Sequence, residues 1–168
     1  MSSMFATETP ISVVLAATVV LAAIFDIKFR RIPNALTASG AIAMLGLNYA
    51  FGSLDGLIAS LLGLVCAFAA HFLLFVWGAL GAGDVKLLCV VGAALGAGAL
   101  LTVWIFVALA GGVQSGLIVL RAYLATSDAE PTGTLLGGRK ACYAIAIAAG
   151  TLGTLAWRAM GHEYISLF

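Results

Sequence analysis

The chain has 168 residues, 63% hydrophobic and 9% charged, with a net charge of +1 and a mean hydropathy of +1.16. An ordinary globular domain is roughly 25% charged, so water is excluded as the main solvent, and so small a net charge gives no field that would recruit nucleic acid. The three cysteines, Cys66, Cys89 and Cys142, are odd in number, far apart and set in apolar surroundings, which excludes a disulfide framework and a CxxC zinc site.

The first residues, MSSMFATETP, lack the basic n-region of a signal peptide, and basic residues follow the first apolar run instead, so that run is expected to be a retained helix. Apolar runs then recur, Ile11 to Phe25, Leu57 to Leu80 and Ala99 to Leu120 among them, and several approach the about 20 residues that cross a bilayer as a helix. They do not alternate apolar with polar residues as barrel strands do. The expected fold class is therefore all-α, a polytopic membrane protein of about six transmembrane helices in a single domain over residues 1–168. Charge, proline and glycine place these helices at about Pro10 to Phe25, Leu36 to Phe51, Leu57 to Leu80, Val85 to Leu95, Leu100 to Tyr123 and Cys142 to Trp157. The fourth is short and reads as a helix lining a wet cavity instead of a full span. Between the fifth and sixth, ATSDAEPTGTLLGGRK from Ala125 to Lys140 reads as a flexible polar loop. Two small-residue pairs, Gly92 with Gly96 and Gly112 with Gly116, have the spacing of close helix packing.

Lysine and arginine are distributed unevenly between the ends of these helices. The connections after the first, third and fifth carry Lys28, Arg30, Arg31, Lys86, Arg121, Arg139 and Lys140, while the other side carries Arg158. The positive-inside rule then puts both termini on the outer side and those three connections in the cytoplasm. It also brings Asp26, in AIFDIKFRRIPNALT, and Asp84, in GAGDVKLL, to the same face although 58 positions separate them.

A carboxylate at the edge of hydrocarbon is a functional candidate, because burying it unpaired costs several kcal/mol. The bland reading makes both aspartates interfacial residues paired with the neighbouring Lys28 and Lys86. Two close carboxylates, however, suit water-mediated amide hydrolysis: one takes a proton from water while the other, protonated, polarises the carbonyl and then protonates the amine. Gly81 and Gly83 lack Cβ atoms, so the backbone before the fourth helix can take φ > 0 and a peptide can approach it; alternatively they cap the third helix. Lys86 either lowers the pKa of Asp84 or marks the interface. Pro33 suits a helix start and Asn34 is positioned to bond backbone groups there. His71, Asn48 and Gln114 read as hydrogen-bonded packing residues between helices.

DIKFRRIPN after the first helix and GAGDVKLL after the third together resemble the type IV prepilin peptidase family of GxGD intramembrane aspartic proteases, and the short six-helix form resembles its CpaA/TadV-like branch of Flp-type pili. The resemblance implies that Asp26 and Asp84 are catalytic, and that the enzyme needs no cofactor or metal. It implies a bacterial inner-membrane endopeptidase that removes the leader of a prepilin-like membrane protein at the cytoplasmic face, with pilus assembly machinery as a further partner. Longer members also methylate the new pilin N-terminus through a region with paired CxxC motifs; this chain lacks those motifs, so no separate methyltransferase domain is expected. The branch's K-x-P-Y-x-x-A pattern stands here as KACYAIA, with Cys142 in the proline's place and Tyr143 and Ala146 kept. Two other classes remain open at this level: a proton- or cation-coupled transporter and a non-catalytic pilus or secretion assembly subunit.

Overall fold

Long apolar runs with few breakers leave the backbone one way to satisfy its hydrogen bonds out of water, and the chain is helical accordingly. The structure, a computed structural model, describes residues 2–125 and 143–165, and no strand occurs among them. The polar loop expected at Ala125 to Lys140 lies almost wholly outside the described residues, and Cys142 does so too.

Helix α1 spans Ser2–Phe29 and α2 spans Asn34–Val76. The first ends where Arg30 takes a φ of 54°, its N–H closing on the Asp26 carbonyl at 2.9 Å. Asp26 thus sits inside the last turn of α1 instead of terminating it. Pro33, extended at φ −61° and ψ 132°, opens α2 by accepting the N–H groups of Leu36 and Thr37 on its carbonyl. Among the described residues, three segments are long and apolar enough to cross a membrane, Pro10–Phe29, Asn34–Val76 and Ala97–Arg121. With 43 residues, the second is about twice the length one crossing needs.

The extra length is a hairpin. Ser53, at φ 54° and ψ −144°, interrupts α2, and a Cβ on Gly56 would collide with the Asn48 carbonyl, eight positions back and about 12 Å away in a straight helix. The first limb, residues 34–52, meets helix α3 (Ala82–Leu95) in rising order, Gly40 beside Val90 and Asn48 beside Ala93 and Ala94. The second limb, residues 54–76, meets it in falling order, Ser60 on Ala93 and then Ala67 beside Gly92. One limb is therefore parallel to α3 and the other antiparallel. The two helices expected from the sequence at Leu36 to Phe51 and Leu57 to Leu80 are these limbs, the second ending four residues early at Val76.

Gly96, at φ 77°, ends α3, and a 3-10 turn at Ala97–Ala99 leads into α4 (Leu100–Ala125), which runs antiparallel to α5 (Tyr143–Ala159). Val107 and Phe106 of α4 lie against Gly150 and Gly153 of α5. The centre belongs to α3, where Leu87, Leu88, Val90, Val91 and Ala93 are almost fully buried. It is wrapped by protein along most of its length, and its last turn borders a cleft formed with Asn48, Ser60 and Tyr164. Outward faces are apolar, with Ile42, Trp77, Val119 and Tyr123 well exposed, as lipid-facing surfaces are.

Candidate active site

The segment between Val76 and α3 determines how the GAGD sequence is presented. Gly78 turns the chain at φ 74°, and Gly81 is extended at φ −78° and ψ 151°. Neither Gly81 nor Gly83 has a positive φ, so the expected use of their conformational freedom is not the one found. Their missing side chains matter sterically: a Cβ on Gly81 would stand 3.0 Å from Asp84 Oδ2, and one on Gly83 would stand 3.3 Å from Ile32 Cβ. The sequence signal for the positive φ was present in Trp-Gly-Ala, one turn earlier.

Asp84 occupies the third position of α3, and the Gly81 N–H donates to its Oδ2 at 3.2 Å. That contact and the helix N-terminus favour the anion. Burial opposes them and is the largest influence; the Asp26 carboxylate adds to it, and Asp84 is pushed up to about 6 from 3.8. Asp84 precedes the apolar body of α3 and lies outside the three membrane-length segments. The last turn of α1 thus lies within electrostatic reach of the first turn of α3, and packing of Ile32 on Gly83 holds the α1–α2 connection over that turn.

Lys86 Nζ donates to Asn34 Oδ1 at 2.9 Å, fastening α3 to the start of α2. Asn34 therefore bonds a side chain of another helix, where the sequence suggested backbone groups, and the Pro33 cap carries no side-chain bond. Asp84 moves upward, not downward as a neighbouring lysine would make it. Lys28 lies over the Phe29 ring, 5.3 Å from its centroid.

Helix α5 starts at the same end. Tyr143, its first residue, lies within the field of Asp84 and packs beside Gly111 of α4. The end of the bundle that holds Asp26 and Asp84 therefore also gathers Arg30, Arg31, Lys86 and the C-terminus of α4, while Arg158 lies at the far end of α5. Among the described residues, no group of three or more His, Cys, Asp or Glu side chains could hold a metal ion.

Asn48 bonds the Ala93 and Ala94 carbonyls at 3.1 and 3.4 Å, the interhelical role expected of it. Ser60, which the sequence reading passed over, donates to the Ala93 carbonyl as well. Its signal was a hydroxyl inside an apolar run, a group that needs a partner away from water.

An all-helical membrane protein with two acidic side chains brought together at one end of a protein-wrapped helix is the class that this fold and site define. The chain matches the type IV leader peptidase family over residues 13–116, a stretch containing both aspartates, and belongs to that family. Membership makes it a leader peptidase acting on prepilin-like substrates from within a lipid bilayer. No curated protein and no solved structure matches it significantly.

Proposed function

We propose that the chain is an aspartic endopeptidase of the GxGD type, in the short CpaA/TadV-like branch, which removes the leader of an Flp-type prepilin at the cytoplasmic face of a bacterial inner membrane. The observation that carries this reading is the electrostatic pairing of Asp26 with a half-buried Asp84 whose carboxyl rises to about 6. Near neutrality such a pair holds one proton between two acids more readily than two isolated carboxylates do.

Asp84 is the proton donor in this scheme and Asp26 the base. Asp26 takes a proton from water, and the oxygen attacks the scissile carbonyl carbon while Asp84 gives its proton to the carbonyl oxygen. Collapse of the resulting diol breaks the C–N bond. The proton now on Asp26 passes to the leaving amine, and a diol hydroxyl returns its proton to Asp84. The leader leaves with a new carboxyl group and the pilin with a new amine. Gly81 leaves the space beside the Asp84 carboxylate free of a side chain, Gly83 lets Ile32 pack on the first turn of α3, and Lys86 with Asn34, beside the Pro33 cap, fixes α3 against α2. The basic residues at this end support a cytoplasmic placement, with both termini outside and six crossings once the limbs of α2 are counted separately. No separate methyltransferase activity belongs to this reading.

Coexpression with a candidate prepilin, followed by the pilin's mass, tests it. Asp26→Asn and Asp84→Asn should each lower cleavage by at least about a thousandfold, within the range for a lost acid or base, while membrane insertion stays intact. Processing retained by both variants would overturn the reading.

A further inference from the structure

Packing round α3 leaves one side open. Helix α1 rests on α2 and on α5, and α5 rests on α4, but among the described residues α2 and α4 scarcely touch. Between them lies a cavity of about 250 Å³, lined by Ala70, His71 and Leu74 of α2, Trp104 and Ala108 of α4, and Tyr143 of α5. All but Tyr143 belong to the membrane-length segments Asn34–Val76 and Ala97–Arg121, so the cavity lies at membrane depth. Ala70 and Ala108 are exposed, so it opens on the flank of the bundle, where lipid lies. Its wall is mostly apolar.

The cavity adjoins the candidate active site. Leu74, in its wall, also accepts the N–H groups of Ala79 and Leu80 on its carbonyl, at 2.9 and 3.3 Å, and so anchors the turn that leads into Gly81 and Asp84. Tyr143 lines the cavity too and stands in the field of Asp84. An apolar cavity of about 150 Å³ already binds benzene, so this one has room for a large apolar side chain. Of a leader peptidase's substrate, only the part inside the bilayer reaches this depth. Apolar segments gain no hydrophobic energy by meeting in lipid and associate through close packing, so a side chain seated in a matching cavity holds such a segment in place. An acyl chain fits the same wall, but the link through Leu74 to the Asp84 turn favours the substrate. We propose that this cavity receives a large apolar side chain from the membrane-embedded part of the substrate, close to the scissile bond, and selects the residue accepted there. The absence of long side chains at positions 70 and 108 keeps it open. The inference rests on the peptidase reading above.

The test uses the full chain in proteoliposomes with a synthetic peptide that joins a basic leader to an apolar helix. Ala70→Phe and Ala108→Phe fill the cavity from its two walls, and Leu109→Phe, at an exposed position outside it, is the control. Each filling variant should raise KM about tenfold, with kcat changed less than threefold and helical circular dichroism unchanged, while Leu109→Phe matches the wild type. The two lie on different helices, so misfolding of one leaves the other to decide. Peptides with each large apolar residue of the first two turns after the cut shortened to alanine should include one that the wild type cleaves about tenfold less efficiently and Ala108→Phe cleaves no worse than the parent. Unchanged KM in both filling variants, a rise shared by Leu109→Phe, or no such peptide overturns the pocket and leaves the cavity to lipid, while wild-type cleavage keeps the peptidase reading. Absence of cleavage by the wild type overturns both.

Discussion

Asp84 stands between opposing influences, and the balance has two measurable results. Its place at the start of α3 and the Gly81 N–H draw it toward the anion, while burial and Asp26 push it up to about 6. If Asp84 gives the proton, kcat/KM falls roughly tenfold per pH unit above about 6, because the protonated fraction does. A rate level from pH 6 to 8 would move the acid role to another group. Stability carries the same imprint with a definite sign. A carboxyl with a folded pKa near 6 and an unfolded one near 3.8 binds its proton more tightly in the native state, so its stabilising contribution is complete below 3.8 and is lost as the pH rises through 6. Asp84→Asn cannot ionise and keeps an oxygen for the Gly81 N–H. Thermal unfolding in detergent should therefore show the variant more stable than wild type at pH 8, by several degrees, and the difference should close toward pH 4. An inactive variant that gains stability in this pattern separates a strained functional carboxylate from a packing residue, whose loss would cost stability at both pH values.

At the level of elements, glycine decides how closely α3 is held. A Cβ on Gly63 would collide with the Gly92 carbonyl, and one on Gly92 would collide with the Gly63 carbonyl. These obstacles are backbone, so neither can swing aside. Gly63→Ala and Gly92→Ala should each destabilise by about 1–3 kcal/mol, with reduced cleavage as the first turn of α3 loses its register. Gly112→Ala meets nothing within 4 Å and should stay within about 0.5 kcal/mol of wild type, all three compared by detergent melting. The contrast also marks how far the sequence could be read. The Gly92–Gly96 and Gly112–Gly116 pairs look alike on paper, yet only the first meets a partner helix, along the Ala59, Gly63 and Ala67 stripe of the second limb of α2. Spacing along one helix permits close approach; it does not say which helix arrives. The Asp26–Asp84 convergence was legible because charge asymmetry assigns ends, and ends are one-dimensional information. The contact of His71 with Trp104 was not, because it depends on which helices meet, and neither segment's own pattern records that.

Over the whole molecule, the positions of all six apolar runs were legible, but the way they join was clear only in part. FGSLDG looks like a loop because glycine and aspartate break an apolar run, and the structure makes it a sharp reversal at Ser53 within a helix of 43 residues. That reversal decides the topology. If each limb of α2 crosses the bilayer, Ser53 and Ala79, both exposed, lie on opposite sides, with Ala79 on the side of Asp26 and Asp84. In a background with Cys66, Cys89 and Cys142 replaced by serine, Ser53→Cys should react with a membrane-impermeant maleimide in intact spheroplasts. Ala79→Cys should react only after lysis. The inverse result would turn the aspartates outward and separate them from a leader held in the cytoplasm. Reaction of both from one side would make α2 a re-entrant hairpin and remove the count of six crossings, while the ends of its two limbs, and the basic residues beside them, would still share a side. Because the aspartate end, the basic residues and the Val76-to-Ala82 connection are fastened together by Lys86–Asn34 and Ile32–Gly83, a single label at residue 79 reports the side of the entire candidate site.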